Sequence, residues 1–306
     1  MKKSRFYKGG GDALKFLLCV DDTDDLTKST STGTVSELIS EQVIALGGTL
    51  EHGISRHQLL LHEDIEYTSH NSSMCFVAEI DGVELEIIWK KAVEILQSEM
   101  AATSDPGLCL CRLDQLQDVD RLIKFGIRAQ KEVLSKQEAY TVAKEIGGVR
   151  LEEFGGTGIG VIGALAGVGL RLAGNDGTFR GKNGVGEYDV TLPAAEMCQR
   201  LGAERIITLN GEYLQDDQPV FISKFAKLVY LNHQVMAVAK KNSDGTYEIC
   251  KKNDLYNGDR KADNWNAKCA DFEVDNDYEE CYDEEQQTCY NCLYRRWTAT
   301  GFICTI

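Results

Sequence analysis

Lys15-Phe-Leu-Leu-Cys-Val20, followed at once by Asp21-Asp-Thr-Asp-Asp25, is the stretch from which the rest of this 306-residue chain is best read. A short continuous apolar run closed by polar residues is the pattern of a buried strand. The acidic turn at its end packs four carboxylates into five positions. Two carboxylates about 4 Å apart repel by roughly 4 kcal/mol at an effective dielectric of 20, so such a turn needs a cation, water or protonation. Magnesium takes oxygen ligands and typically bridges one or two carboxylates to substrate phosphates. Asp21, Asp22 and Asp24 are therefore expected to form a magnesium–nucleotide site. A solvated acidic turn is the competing reading, and the position after a buried strand favours the metal.

Outward from this turn, strand and helix patterns alternate. A polar run, Thr27 to Thr34, precedes a helix with Val35, Leu38, Ile39, Val43 and Leu46 on one face, closed by Gly47-Gly48. Strand signals stand at Gln58–Leu61 and Met74–Ile80. A second amphipathic helix carries Leu85, Ile88, Trp89, Ala92, Ile95 and Leu96, and Asp105-Pro-Gly107 turns into the strand Leu108–Leu113. Helical patterning spans Asp118–Leu134 and Gln137–Ile146, and later strands are expected at Val149–Phe154, Tyr188–Leu192, Arg205–Leu209 and Lys227–Val238. This alternation with local reversals predicts an α+β fold in layers. Length suggests two domains with an appendage, divided as 1–113, 114–240 and an acidic, cysteine-rich segment, 241–306.

Twelve of the 29 glycines fall between residues 155 and 186, where tight turns or close backbone approach must matter. Gly158-Ile-Gly160-Val-Ile-Gly163 fits the dinucleotide fingerprint. Ile162–Leu170 fits equally a helix packed closely through small residues. No phosphate-loop NTPase motif exists. Asp22-Thr23-Asp24 also matches the Asp-x-Asp of Asp-nucleophile phosphatases, but Leu26 stands where those carry Thr or Val, which leaves that reading weak.

The composition, 43% hydrophobic and 26% charged, is that of a soluble globular protein. A net charge of −15 without any basic run argues against avid nonspecific nucleic-acid binding, and DNA is not an expected partner. No run approaches the roughly 20 apolar residues of a membrane span, nor the core of a signal peptide. A cytoplasmic location is expected. The five histidines form no zinc spacing. Of eleven cysteines, Cys19, Cys75, Cys109, Cys111 and Cys198 read as buried thiols, and the other six crowd the last 57 residues. Cys289 and Cys292 have the gap of half a zinc knuckle, with Cys281 and Cys304 as the nearest additions. A second knuckle is missing, so zinc there is not favoured.

Several stretches, in this order, resemble the tRNA-isoleucine agmatidine synthetase family. They are Val20-Asp-Asp-Thr-Asp24, Ile65–Asn71, Asp105-Pro-Gly-Leu108, Phe125–Val133, Gly158–Gly169 and Asn175-Asp-Gly-Thr-Phe179. The resemblance implies a kinase-like α/β domain using ATP and Mg2+, beside a ferredoxin-like α+β domain that contributes to the amine site. It implies an ATP-dependent ligase or phosphotransferase, in which a carbonyl oxygen is phosphorylated and then displaced by an amine. Asp21, Asp22 and Asp24 would act in catalysis and hold magnesium. Thr23, Thr32, Thr34 and Asn71 would meet the nucleotide. Gly156, Gly158, Gly160, Asn175 and Asp176 would line the acceptor or amine pocket. Two departures stand out. Tyr67-Thr-Ser-His-Asn71 lacks the family's Lys and Arg, and Arg180 replaces an acid, which argues against agmatine as the amine. The implied partners are a nucleotide and a small amine or polar acceptor, with whole tRNA left open. A catalytically reduced nucleotide-binding or sensor protein is the alternative.

Overall fold

The computed structural model describes residues 13–25, 30–68, 70–251, 255, 270–273, 292, 295–298 and 301–304. The first half contains β1 (Leu14–Asp21), α1 (Thr32–Ala45), β2 (Thr49–Gln58), β3 (Ser72–Ile80), α2 (Leu85–Glu99) and β4 (Gly107–Arg112). It continues through α3 (Val119–Ala129), α4 (Lys136–Ile146), β5 (Val149–Glu153) and α5 (Gly160–Ala173). β1 lies between β3 and β4, antiparallel to both, and the local strand order is β5-β4-β1-β3-β2.

The apolar run in β1 is buried on both faces because helices cover both. Phe16, Leu18 and Val20 pack with Val35, Ile39 and Val43 of α1 and Ile88, Trp89, Ala92 and Leu96 of α2. Leu17 and Cys19 face the opposite way, against α3, α4 and α5. Each such fully buried aliphatic or aromatic side chain contributes about 1.5–3 kcal/mol by leaving water. Since β5 pairs with β4 and α5 packs on β1, residues on both sides of position 113 share this core.

The glycine-rich segment becomes α5, and its glycines serve close packing. A Cβ at Gly163 would overlap the Asp21 carboxylate, and one at Gly167 would overlap Cys19 Sγ and Ser73 Oγ. These positions are four apart and share a helix face, which lets α5 lie directly on β1 and β3. The small-residue helix, one of the two readings of this segment, accounts for that packing.

The second half adds β6 (Thr178–Phe179), β7 (Val190–Pro193), α6 (Ala194–Leu201), β8 (Arg205–Thr208), β9 (Pro219–Ile222), β10 (Val229–Leu231), β11 (Gln234–Lys241) and β12 (Tyr247–Ile249). β6 joins β2 to β10, so one mixed sheet runs on as β10-β11-β12-β9-β7, with β8 parallel to β11. Arg171 of α5 plugs the seam. It is buried between the rings of Phe179 and Tyr230, 5.0 and 4.3 Å from their centroids, and donates to Glu51 O at 2.8 Å. The fold is α+β, as the pattern predicts.

Two local expectations change. The strand expected at Gln58–Leu61 ends at Gln58 and starts at Thr49, because a bulge at His52-Gly53, both at positive φ, hides its alternation. The strand expected over Lys227–Val238 is a hairpin. Asn232 and His233 both adopt positive φ, as a tight two-residue turn requires.

Cys19, Cys75, Cys109 and Cys111 are buried free thiols, and Cys198 is half-buried. No helix among the described residues is long and apolar enough to cross a membrane. In the tail, β13 (Arg295–Thr298) pairs antiparallel with β14 (Gly301–Cys304), and Cys292 is buried. Cys281 and Cys289 lie outside the described residues.

Candidate functional site

The Asp21–Asp25 turn leaves the C-terminal end of β1 and folds back over the start of α1. Thr23 is fully buried, and its Oγ1 and N–H donate to Thr32 Oγ1 at 3.1 and 3.3 Å. Thr23 O accepts from the Ala101 N–H at 2.9 Å. Asp24 Oδ1 accepts from Thr32 and Thr68 hydroxyls, each at 3.5 Å. Ser31 caps α1, its Oγ accepting from the Thr34 N–H at 3.2 Å.

The carboxylates of this turn are under pressure. Asp21 is only 7% exposed, and burial first, then the charges of Asp22 and Asp24, holds its pKa well above the ordinary carboxylate range. Asp22 adopts a left-handed φ of 55° and is pushed up to about 7 by burial, then by Asp24, Asp105 and Glu66. Repulsion of this kind is relieved by protonation or by a nearby positive charge.

Asp21, Asp22 and Asp24 line a cleft of about 130 Å³. The first turns of two helices open into it, through Thr32 of α1 and Gly160, Ile162 and Gly163 of α5. Helix N-termini carry partial positive charge, which suits an anion such as phosphate, although in α5 the Gly160, Val161 and Ile162 N–H groups already donate to Asp105 O, Gly158 O and Ile159 O. Further walls are the β2–β3 loop, with Asp64, Ile65, Glu66, Tyr67, Thr68 and His70, and the end of α3 at Ala129 with Glu132, Val133 and Leu134 of the loop after it. No Lys or Arg lines the cleft among the described residues.

Of the residues expected from the sequence, the cleft gathers Asp21, Asp22, Asp24, Thr32, Asn71 and Gly160. Asn71 also pins the β2–β3 loop, its Nδ2 donating to Leu60 O at 2.7 Å. Thr34 stands a turn away, against Ser31 Oγ at 3.1 Å and Arg180 Nη2 at 3.5 Å. Arg180 is itself buried in an ion pair with Glu37 at 2.7 Å. Gly156 and Gly158, both at positive φ, wrap Asp105. The Asp105 carboxylate accepts from Thr157 Oγ1 and the Gly158 N–H, each at 2.8 Å, and from the Thr157 N–H. Asn175 and Asp176 follow the far end of α5, a 14-residue helix of roughly 20 Å. Neither lines the cleft.

Sequence reasoning missed Asp64, Glu66, Glu132 and Asp105 as site residues. Asp105 is 8% exposed and presses on Asp22 by its charge. Its position before Pro106-Gly107, the turn that aims β4, was the available signal. Among the described residues no three His, Cys, Asp or Glu side chains are gathered as a ready metal cage. The donor set at the turn is all oxygen, which suits an ion sharing one or two carboxylates with phosphates.

No protein-family model matches the chain, and no curated protein does. Solved structures show partial similarity. A tRNA fluorescent labeling enzyme is 22% identical with a TM-score of 0.44, over 59% of this chain and 38% of that one. The enzyme TiaS in complex with an isoleucine tRNA, AMPCPP and agmatine is 21% identical, with a TM-score of 0.43 over 59% and 39%. Apo TiaS, described as a tRNA agmatidine synthetase, is 21% identical with a TM-score of 0.41 over 59% and 38%. The chain thus spans about two fifths of the length of these structures.

Proposed function

We propose that the cleft binds a magnesium–nucleotide complex, and that the chain catalyses ATP-dependent activation of an acceptor oxygen followed by its displacement by an amine. The observation that supports this most is the meeting of two helix N-termini with a buried, mutually repelling carboxylate turn. One feature suits phosphate and the other suits a cation, so together they match a metal-bound phosphate chain.

One or two of the carboxylates Asp21, Asp22 and Asp24 would hold Mg2+, which would supply charge neutralisation at the phosphates. Thr32 and the first turns of α1 and α5 would receive phosphate oxygens. Ile65, Val133 and Ile162 offer an apolar wall to a base or an alkyl chain, and Asp64, Glu66 and Glu132 would favour a cationic amine over an anionic acceptor. On this reading Gly160, expected at the acceptor or amine pocket, would instead stand beside the phosphates.

The lack of Lys and Arg in the described lining favours a second reading, a nucleotide-binding protein without turnover. ATP consumption that depends on an added acceptor separates the two. Calorimetry with Mg2+ and ATP tests the shared premise. Wild type should bind only with the metal present, and Asp22→Asn should weaken binding while the fold survives. Equal affinity in both proteins removes the assignment.

A further inference from the structure

Away from the acidic turn, Ser55, His57, Asp176 and Gln130 form a polar chain inside the protein. His57 is fully buried, with Nε2 2.7 Å from Ser55 Oγ and Nδ1 2.7 Å from Asp176 Oδ2. The other oxygen, Asp176 Oδ1, accepts from Gln130 Nε2 at 2.9 Å, and the same nitrogen donates to Gln58 O at 3.1 Å. The connectivity is that of a Ser-His-Asp triad. Ser55 is fully buried, however, and its Oγ lies 3.1 Å from Cys75 O. A serine with no exposed surface cannot meet a substrate, so nucleophilic catalysis is not its role.

The protons can be placed. Two titratable groups act on the ring: Asp176 from the loop after α5 and Arg171 from α5. Burial, the largest influence, pushes the imidazole below its ordinary value; Asp176 opposes this and Arg171 adds to it. A neutral ring has one N–H, and an ionised carboxylate only accepts. Nδ1–H therefore faces Asp176, and the one Ser55 hydroxyl proton, which also lies within reach of Cys75 O at 3.1 Å, goes to the otherwise unfilled Nε2 at 2.7 Å.

The far end of this chain, Gln130, lies in sequence between cleft-lining residues. Gln130 caps the C-terminus of α3, and the next residues, Glu132, Val133 and Leu134, form a cleft wall with Ala129. Ala129 O accepts from the Leu60 N–H at 3.2 Å, which joins that wall to the residues just after β2. We infer that His57 and Asp176 are positioning residues of the cleft: the His57 Nδ1–H orients the Asp176 carboxylate, which holds Gln130 and, through it, the wall at residues 129–134. Both Asp176 oxygens are engaged within the protein, so Asp176 acts through Gln130 rather than on a substrate. The inference rests on the cleft being the functional site, as proposed above, but not on which ligand fills it.

Nitrogen-15 NMR of the His57 ring, with hydrogen exchange along the full chain, tests it. Wild type should show the Nδ1–H tautomer. Asp176→Asn places an amide N–H opposite Nδ1, so the ring proton should move to Nε2. Exchange at residues 129–134 should then rise about tenfold or more, as expected when a hydrogen bond to a charged group is lost, while β1 and β4 stay protected. Gln130→Ala, at a half-buried cap, guards against a folding failure. It should raise exchange over the same residues and leave the His57 tautomer unchanged. Where wild type binds Mg2+ and ATP, Asp176→Asn should weaken that binding by about tenfold, the usual effect of losing an outer-shell partner. An Nε2–H tautomer in wild type, or unaltered exchange at 129–134 in both variants, overturns the inference. Failure of wild type to bind Mg2+ and ATP removes the nucleotide reading alone, because the tautomer and exchange results do not depend on ligand.

Discussion

Gly163 of α5 rides directly over the carboxylate of Asp21, closer than any residue bearing a Cβ could come. This one approach joins the helix to the end of the central strand. It also places the first turn of α5 at the rim of the acidic cleft.

Gly163→Ala should therefore destabilise the protein although alanine is the better helix former. Overpacking a tight contact costs typically 1–3 kcal/mol, more than the roughly 1 kcal/mol of helix propensity gained. Urea denaturation measures the difference. A stabilised variant would mean that α5 does not lie against Asp21 as described.

The raised carboxylates give a pH signature in metal-free protein. Asp22 moves from an ordinary 3.8 to about 7 on folding, so between these values the folded chain binds more protons than the unfolded one. Its contribution to stability then falls as pH rises from about 4 to 7. Asp22→Asn should remove that loss, so the variant should gain on wild type as pH rises, by on the order of 1–4 kcal/mol at pH 8. Added Mg2+ should narrow the gap by restoring wild type. Denaturation of both proteins across pH, with and without chelator, checks each part.

His57 should act in the opposite direction. Its folded pKa lies below the ordinary 6.5, so the unfolded chain binds more protons in that window. Its contribution is complete above about 6.5 and is lost as pH falls through the window. Comparison of wild type with His57→Gln isolates this from the Asp22 effect. The wild-type advantage should shrink on acidification; an advantage that grows instead would show that the buried ring is charged.

Asp105 should be a structural clamp with an electrostatic reach. Asp105→Ala leaves the Thr157 and Gly158 N–H groups without their acceptor, which costs about 1–3 kcal/mol for each buried donor. Asp105→Asn keeps an acceptor oxygen and removes the charge, so it should fold and should lower the Asp22 pKa. Carboxylate titration by NMR in the Asn variant checks this.

RNA binding should be weak. With a net charge of −15 and a cleft lined by acids, few phosphates are neutralised, and affinity for bulk tRNA should fade by about 200 mM salt. Tight, salt-resistant binding to a single tRNA would instead show a base-reading surface. Filter binding across a salt series decides it.

The sequence by itself determined most of the local elements and singled out the acidic turn; the strands expected at Gln58–Leu61 and over Lys227–Val238 were exceptions. An apolar run bounded by carboxylates can only be a buried strand ending in an acidic turn, and steps of three and four at Val35–Val43 and Ile88–Leu96 define single helix faces. Asp21, Asp22 and Asp24 were legible because their chemistry is local to one strand end; Thr32 and Asn71 came only through the family resemblance, and the cleft gathers all five. Only the tertiary structure decided what the glycines are for. Gly158–Gly163 fits a dinucleotide-binding pattern and the overlapping Ile162–Leu170 fits a packing pattern, and what separates them is the neighbour each glycine meets: Asp21 beside Gly163, and Cys19 and Ser73 beside Gly167. Glu66 and Glu132 reach the cleft from loops that carry no periodic signal. His57 pairs with Asp176 across 119 positions, and no spacing rule connects residues so far apart. Periodicity records which face of an element is buried; it does not record which distant element does the burying, and that choice assembles the cleft.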